Sequence, residues 1–381
     1  MTDNNLVGRV RQRLAETGSG DLVGIVRDEQ SGAAVIADDA ALAALERDVV
    51  AELSGAGPLE PLLRLPGVTD VLVNRPDEIW FDRGRGLERA PVRFADDLAV
   101  RRLAQRLAAA AGRRLDDASP FVDAVLPDGT RLHAVLPPIT GYAALSLRVL
   151  ARRRFELADL VERPVAALLR AIVAARLAIV ISGGTGTGKT TLLGALLGCV
   201  PAAERLVVIE DARELVTSHP HVIRLVTRAP NVEGAGAVGL RELVRQALRM
   251  RPDRLVVGEF RGAEMVELLV ALNTGHEGGA ATLHANGATD VPARLAALGA
   301  LGGLSRAAVT SQVASALDVV VHLRRGSSGR RRVAEIGLLE RAGDELTESP
   351  AWSSGHGAGG RWEVLVERLA ERGVDCAGLL P

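Results

Sequence analysis

One segment of the sequence has the residue types and spacing of a phosphate-binding loop. Residues 183–190 read GGTGTGKT, which matches the pattern G-x-x-x-x-G-K-[ST] and lies between a hydrophobic, strand-like run and a predicted helix. Glycines let consecutive backbone N–H groups turn toward phosphates, and the helix start adds its positive dipole end. The predicted nucleotide-binding residues are Gly183, Gly184, Thr185, Gly186, Thr187, Gly188, Lys189, Thr190 and Thr191.

The basic residues of the chain point to the same loop. Of the 46 lysine and arginine residues, only Lys189 is lysine. A compact ammonium fits between the β- and γ-phosphates of a nucleotide, where a broad planar guanidinium does not fit the loop. The lone lysine therefore favours a working nucleotide site over a glycine-rich turn with an incidental GKT. Thr190 is expected to hold Mg²⁺.

Two absent motifs narrow the class of nucleotide-binding protein. The guanine-reading N-K-x-D motif is impossible, because the chain has no lysine outside the loop. The signature helix of ABC transporters is not seen either, since the only SGG, residues 182–184, begins the loop itself. ATP with Mg²⁺ is therefore the default nucleotide.

Acidic residues follow two predicted strands. Leu255–Glu259 reads LVVGE, a hydrophobic strand ending in a carboxylate, with Gly258 where a Walker B strand usually has its metal-binding aspartate. Glu259 is then free to orient or deprotonate the attacking water. Glu210 closes another strand. Acids at the carboxyl ends of adjacent parallel strands face the ligand-binding crevice, so both are predicted catalytic residues, although each alone could be a solvated strand end.

Two histidines follow neighbouring elements. His284 ends a predicted strand, where it could sense the γ-phosphate, and it is the third predicted catalytic residue of this region. His276 follows a helix, where a lone histidine is more often a structural hydrogen-bond donor. A metal bound by the pair is not supported, because no third ligand stands at a convincing spacing.

The elements that must position these residues divide the chain. In residues 153–340, helices alternate with β-branched hydrophobic runs, which is typical of an α/β domain with a mostly parallel sheet. Residues 51–152 combine short strand-like runs, including Pro91–Phe94, with one long helix, which indicates a smaller α+β domain. Residues 1–50 read as a helical region. Residues 341–381 read as a flexible linker and a short helical tail.

Composition bounds the class of protein. A hydrophobic content of 48% with 24% charged residues is that of a folded chain, and 381 residues suit two domains. Two cysteines cannot form a disulfide framework or a four-thiolate zinc site. No apolar run reaches the ~18–20 residues of a membrane span, and the first twenty residues lack the apolar core of a signal peptide. A net charge of −1 gives no global argument for nucleic acid. We therefore expect a cytoplasmic protein.

Longer segments around these motifs form an ordered set. Behind GGTGTGKTTLL come IEDARELVTSHPHVIRLVTR, LRMRPDRLVVGEFRGAE and NTGHEGGAATLHAN. Ahead of it stand GAGPLEPLL, VTDVLVNRPDEIW, DDASPFVDAVLPDGTRLHAVLPP and LSLRVL. Across roughly residues 50–340 the set resembles the secretion traffic ATPases, and most closely the Flp/Tad pilus assembly ATPases. That resemblance implies a RecA-like P-loop NTPase domain preceded by a smaller α+β amino-terminal domain.

The resemblance implies roles for particular residues. Residues 183–190 correspond to the Walker A loop and Glu210–Glu214 to the Asp box of the family. Glu259 corresponds to the catalytic glutamate of its atypical Walker B, and His284 to its His box. The tetracysteine zinc module of many type II secretion and pilus extension ATPases is absent, which supports the Tad branch.

Two arginines are assigned by the resemblance alone. In the family, arginines of the amino-terminal domain reach the nucleotide, and Arg131 and Arg148 occupy those motif positions. Around Arg148 this sequence departs from the family pattern, since Gly141–Tyr142 stands where Gly-Pro is common. Surface charge on a strand is the alternative interpretation in an arginine-rich chain.

The resemblance implies a cytoplasmic motor that converts ATP hydrolysis into domain movement during pilus assembly or secretion. Such proteins form homo-hexamers and dock on inner-membrane platform proteins at the cytoplasmic face of the membrane. One alternative is a conjugation-type nucleic-acid translocation ATPase, although the arginine clusters alternate with acids and lack interleaved aromatics. A second alternative is a nucleotide-gated scaffold that barely hydrolyses.

Overall fold

The computed structural model describes residues 55–149, 154–228, 230, 235–326 and 330–380, together with a few positions among the first 28. Most of the predicted helical region, residues 1–50, lies outside the described residues. The chain divides into two compact units, Met1–Ala151 and Arg152–Pro381. In the part of the chain that is described, no helix is both long and apolar enough to cross a membrane.

The described part of the first unit contains an antiparallel sheet and a long helix. Its strands are β1 (Asp70–Arg75), β2 (Glu78–Asp82), β3 (Leu87–Arg89), β4 (Phe121–Val125), β5 (Arg131–Val135) and β6 (Ala144–Arg148). They lie in the order β3-β2-β1-β6-β5-β4. A short helix, α1 (Glu60–Leu63), precedes β1, and α2 (Asp97–Ala110) lies between β3 and β4 in the sequence.

Alternation of side chains explains why one face of this sheet is buried. In β4 and β5 every second residue is buried, and these residues pack with Leu103 and Leu107 of α2. Asp96, the residue before that helix, caps it: its carboxylate accepts the N–H of Ala99 at 2.7 Å. An antiparallel sheet can leave its other face in solvent, and this sheet does so.

The prediction of a strand at Pro91–Phe94 in this unit is wrong. Residues 91–94 are irregular, and the strand beside β2 is β3 instead. Pro91 has no N–H to donate to a strand ladder. The neighbouring N–H groups are used elsewhere: Ala90 donates to the carbonyl oxygen of Ile79, and Phe94 donates to that of Pro76.

The second unit contains a large sheet with helices on both faces. Its strands are β7 (Ile179–Gly183), β8 (Leu206–Glu210), β9 (Val222–Val226), β10 (Arg254–Val257), β11 (Ala280–His284), β12 (Val319–Arg325), β13 (Arg331–Ala342), β14 (Glu345–Ser353) and β15 (Gly357–Ala358). Its helices are α3 (Leu157–Leu160), α4 (Arg163–Ala174), α5 (Lys189–Leu197), α6 (Leu240–Ala247), α7 (Glu264–Leu272), α8 (Val291–Leu301), α9 (Arg306–Ala316) and α10 (Trp362–Glu371).

The strand order β15-β14-β13-β12-β7-β11-β10-β8-β9 places the strands that carry the predicted site side by side. From β12 to β9 every neighbouring pair is parallel, and the pairs from β12 to β15 are antiparallel. Ile181 of β7 belongs to the core on one face, and Val180 to the core on the other. Burial of both faces explains the unbroken hydrophobic runs of these strands. The predicted mostly parallel, RecA-like sheet is confirmed.

The prediction for residues 341–381 was a flexible linker and a short helical tail. The helix is present as α10, but the segment before it is not a linker. β14 pairs with β13 from Ala342↔Glu345 to Glu335↔Ser353, so the large sheet continues into this segment. Trp352 and Trp362 are buried in the same core as α4 and α5. Each tryptophan buries a large apolar surface, which outweighs the serine and glycine content that suggested a linker.

Candidate active site

The predicted phosphate-binding loop joins β7 to α5 and has the backbone that its glycines allow. Gly186 and Gly188 have φ angles of +70° and +94°, in the left-handed region that other residues rarely adopt. At Gly183 a Cβ atom would lie 2.7 Å from both the Leu323 carbonyl oxygen and Thr187 Oγ1. The conformation of the loop therefore requires glycine at these three positions.

Lys189 begins α5 and is only 7% exposed. Its Nζ atom donates to the carbonyl oxygens of Gly183 at 3.1 Å and Gly184 at 3.0 Å, and lies 3.3 Å from Nδ1 of His284. Burial lowers the pKa of Lys189, while Glu259 acts in the opposite direction. The ammonium thus lies inside the loop, on acceptors that phosphate oxygens can replace.

His284 connects the loop to the acid that follows β10. Its Nε2 atom lies 2.7 Å from Oε1 of Glu259. Burial and the Lys189 ammonium lower the pKa of His284, although Glu259 opposes this, so the neutral ring is favoured. A neutral ring protonated at Nε2 donates to Glu259 and accepts from Lys189 at Nδ1. The contact is possible because β11 and β10 are neighbouring parallel strands.

Arg261 contacts the same carboxylate on its other oxygen. Its Nε and Nη2 atoms each lie 2.6 Å from Oε2 of Glu259. Its Nη1 atom lies 3.3 Å from Oδ2 of Asp211. Lys189, His284, Glu259, Arg261 and Asp211 therefore form a continuous series of contacts, called the polar chain below. Sequence reasoning missed Arg261, since no motif that we considered marks it.

Glu210 lies at the same edge of the sheet but in a different environment. It is 3% exposed, and its Oε1 atom accepts the backbone N–H groups of Glu214 at 3.0 Å and Leu215 at 2.7 Å. Burial raises the pKa of Glu210 to about 7 despite these donors. The Glu259 side chain is more accessible, at 18% exposed, and contacts His284. The geometry therefore favours Glu259 over Glu210 for contact with the attacking water.

The packing around Gly258 explains why this position lacks the usual Walker B aspartate. Val257 of β10 pairs directly with Ile209 of β8, so the next residue along each strand comes together. A Cβ atom at residue 258 would lie 3.0 Å from Cγ of Glu210, closer than such contacts ordinarily come. The Glu210 side chain thus fills the space that a larger residue at 258 would need.

The remaining predicted residues of this unit lie where the sequence places them. Thr190 and Thr191 are in the first turn of α5, and Thr185 is in the loop. Within the described ranges, no cluster of three histidine, cysteine, aspartate or glutamate side chains could hold a metal ion. The hydroxyl group of Thr190 is the protein ligand that the sequence predicts for Mg²⁺, and this role stays a prediction. His276 Nδ1 lies 3.2 Å from the carbonyl oxygen of Ala271, so this side chain contacts the backbone of the preceding helix.

A cleft lies beside the loop. Leu160 and Val161 line one side of it, and Leu323 and Arg331 line another, next to Gly188. Its empty volume, which includes some open solvent, is about 330 Å³. These apolar side chains and the arginine therefore border open space next to the phosphate-binding loop. Sequence reasoning did not find Arg331, which comes from a distant hairpin.

Arg131 and Arg148 are brought together in the first unit, as direct cross-strand neighbours on β5 and β6. Arg131 donates to both carboxylate oxygens of Asp123, from Nε at 3.2 Å and Nη2 at 2.9 Å. This contact holds the pKa of Asp123 below its usual value. Arg148 Nε lies 3.9 Å from Oδ1 of Asp70. A role of either arginine toward a nucleotide stays a prediction.

Comparisons with known proteins identify the family of this chain. Residues 52–365 match the family described as type II/IV secretion system protein. A candidate conjugal transfer protein of Mycobacterium tuberculosis is 56% identical over 333 residues, 84% of this chain and 95% of that protein. The type IV secretion system protein PtlH of Bordetella pertussis is 34% identical over 315 residues, 73% of this chain and 92% of that protein.

A solved structure supports the fold. The crystal structure of the pilus retraction motor PilT with bound ADP has a TM-score of 0.51 and 20% identity, over 77% of this chain and 80% of that chain. The family match spans most of the sequence and includes the loop, Glu210, Glu259 and His284. The resemblance to secretion ATPases seen in the sequence is thus confirmed. The chain belongs to the type II/IV secretion system protein family and is an ATPase.

Proposed function

We propose that the protein is the ATP-hydrolysing motor of a Flp/Tad-type pilus assembly or type II/IV secretion machine. The polar chain is the observation that carries the proposal. It connects Lys189, the group that would bind phosphate, to Glu259 through a single histidine. An ATPase needs these two functions side by side, because the water must attack the phosphoryl group that the lysine holds.

The residues divide the hydrolysis step among them. The loop N–H groups and Lys189 bind the β- and γ-phosphates. Thr190 would hold Mg²⁺, which would supply positive charge to balance that of the phosphates. Glu259 takes the proton of the attacking water as its oxygen bonds to the γ-phosphorus. The bond from that phosphorus to the bridging oxygen breaks, and ADP and phosphate result. His284 contacts both Lys189 and Glu259, so it is placed to respond to the γ-phosphate.

The movement that this hydrolysis drives requires the first unit. In the proposal, Arg131 and Arg148 supply cations to the nucleotide bound by the second unit, as the sequence resemblance implies. Closure is then favoured with ATP and weakened once the γ-phosphate leaves, since a ligand biases only states that it contacts differently. The motor acts as a homo-hexamer on inner-membrane platform proteins, at the cytoplasmic face of the membrane.

A complementation experiment tests this proposal. A strain that lacks the gene is supplied with the wild-type chain, Lys189→Ala or Glu259→Gln, and surface pili and secreted proteins are measured. We expect the wild-type chain alone to restore one of these outputs. Normal pili and secretion in the strain without the gene would reject the proposed role.

A conjugation-type nucleic-acid translocation ATPase is the second candidate. The M. tuberculosis relative named for conjugal transfer favours it. In addition, Arg324 faces Arg332 and Arg325 faces Arg331 across the β12–β13 pair. Like charges directly opposite one another are destabilising, so this hairpin suits an anionic ligand. DNA-stimulated ATP turnover that falls steeply with salt, together with loss of DNA transfer but not of pili, would select this candidate.

A further inference from the structure

We infer that Arg261 is a positioning residue for ATP hydrolysis, which holds the Glu259 carboxylate in the orientation that faces His284 and the phosphate-binding loop. The inference rests on the proposed role of Glu259 in handling the attacking water. Arg261 acts through Glu259 and is not itself assigned a contact with ATP.

The contacts of the guanidinium carry the inference. Nε and Nη2 both lie 2.6 Å from Oε2 of Glu259, and Oε1 is left to face His284 at 2.7 Å. The third nitrogen, Nη1, reaches Asp211 at 3.3 Å. One planar group thus connects the acid after β10 with the acid after β8. A lysine ammonium is a point charge and cannot reproduce this fork.

The backbone that carries Arg261 is itself fixed. The N–H groups of Arg261 and Gly262 both donate to Oε1 of Glu264, at 2.6 and 2.7 Å. Glu264 is buried at the start of α7. Between these points, the Phe260 N–H donates to the carbonyl oxygen of Thr282 on β11 at 2.9 Å. The Arg261 side chain therefore contacts Glu259 from a backbone segment that hydrogen bonds hold in place.

A glutamate needs such support because its side chain has several rotatable bonds. A group that takes a proton from water must lie within hydrogen-bond reach of it. A misplacement of about 1 Å can cost on the order of 10²-fold in rate. His284 fixes one oxygen of Glu259, and Arg261 fixes the other.

The test measures kcat and KM for ATP with Mg²⁺ in the full chain. For Arg261→Ala we expect kcat to fall by roughly 10- to 100-fold, with KM nearly unchanged. Arg261→Lys should recover little of that loss. Millimolar guanidinium ion should restore part of the turnover of Arg261→Ala and none of that of Glu259→Gln. Arg241→Ala is the matched control, because Arg241 is a half-exposed arginine that pairs with Glu267 on the surface.

Three results would overturn the inference. They are wild-type kcat in Arg261→Ala, a raised KM with unchanged kcat, and equal guanidinium rescue of both variants. If circular dichroism shows that Arg261→Ala does not fold, kcat and KM of Arg261→Lys provide the test. Wild-type values of both constants would reject the inference, and a loss of kcat without a change in KM would support it. Normal turnover in Glu259→Gln would reject both the proposed role of Glu259 and the inference about Arg261. A loss of turnover in Glu259→Gln together with normal turnover in Arg261→Ala would reject only the inference about Arg261.

Discussion

The polar chain of the second unit and the arginine pair of the first unit lie in contrasting surroundings. Contacts of 2.6 to 3.3 Å join each member of the polar chain to the next, at the ends of adjacent parallel strands. Arg131 and Arg148 lie on the solvent side of an antiparallel sheet, with side chains 30% and 55% exposed. The sheet of the second unit itself brings the polar chain together. Arg131 and Arg148 can act on a nucleotide only if a nucleotide bound outside their own sheet comes within reach.

The largest effect is expected at Lys189. Both Lys189→Ala and Lys189→Arg should abolish hydrolysis, because a guanidinium cannot take the place of a compact ammonium inside the loop. Steady-state release of phosphate by the purified variants measures this directly. Near-normal turnover in Lys189→Arg would show that the lone lysine of the chain has another explanation.

The arginine pair should have the next largest effect on turnover. An arginine that stabilises the transferring phosphoryl group can contribute ~10³–10⁵ in rate. We therefore expect Arg131→Ala and Arg148→Ala, measured separately, to lower kcat by up to about 10³. Arg83→Ala is a control, since Arg83 forms an exposed ion pair with Glu88 in the same unit. Equal turnover in all three variants would leave the arginine pair as surface charge.

A smaller effect is expected on stability, and it distinguishes one carboxyl group in each unit. Arg131 lowers the pKa of Asp123, whereas burial and the neighbouring Glu335 raise the pKa of Glu348 from 4.5 to about 8. Between pH 4.5 and about pH 8, the Glu348 carboxyl group has lost its proton in the unfolded chain and still holds it in the folded chain. The free energy of unfolding should therefore fall as the pH rises from about 4.5 to about 8.

Glu348→Gln removes this pH dependence. The variant should exceed the wild type in unfolding free energy by on the order of 1–3 kcal/mol at pH 8 and match it near pH 4. Urea denaturation at both pH values measures the difference. Glu345→Gln on the same strand is the control, because Glu345 is exposed and pairs with Arg306. A gain of the same size in the control, or at both pH values, would contradict the explanation.

Residues that a motif places at strand ends could be predicted from the sequence. Parallel strands bring their carboxyl ends to one edge, so Glu210, Glu259 and His284 had to lie near the loop once the sheet was assigned. Position at a strand end did not by itself rank the two acids, and only the resemblance assigned the catalytic glutamate to Glu259. The difference in burial between the two acids could not be predicted. Glu210 is enclosed by the backbone of the segment that follows it, and that path is not encoded in a local pattern.

Other features depend on packing between distant segments. The close packing at Gly258 arises from the Glu210 side chain on another strand. The contact between Arg261 and Asp211 joins residues that are far apart in the sequence. Strand β14 was missed because the serine- and glycine-rich residues 353–360 at its end suggested a linker, while its stability comes from pairing with β13. The local secondary-structure propensity of a segment carries no information about which distant segment it will contact.

The central claim is that Glu259, and not Glu210, handles the attacking water. The most direct measurement compares ATP turnover and ATP binding in Glu259→Gln and Glu210→Gln, with folding checked by circular dichroism. We predict that Glu259→Gln binds ATP as the wild type does and loses roughly 10²–10⁴ in turnover, as expected for a positioned acid–base group. Glu210→Gln should lose much less. A far larger loss in Glu210→Gln than in Glu259→Gln would contradict the account and exchange the roles of the two acids.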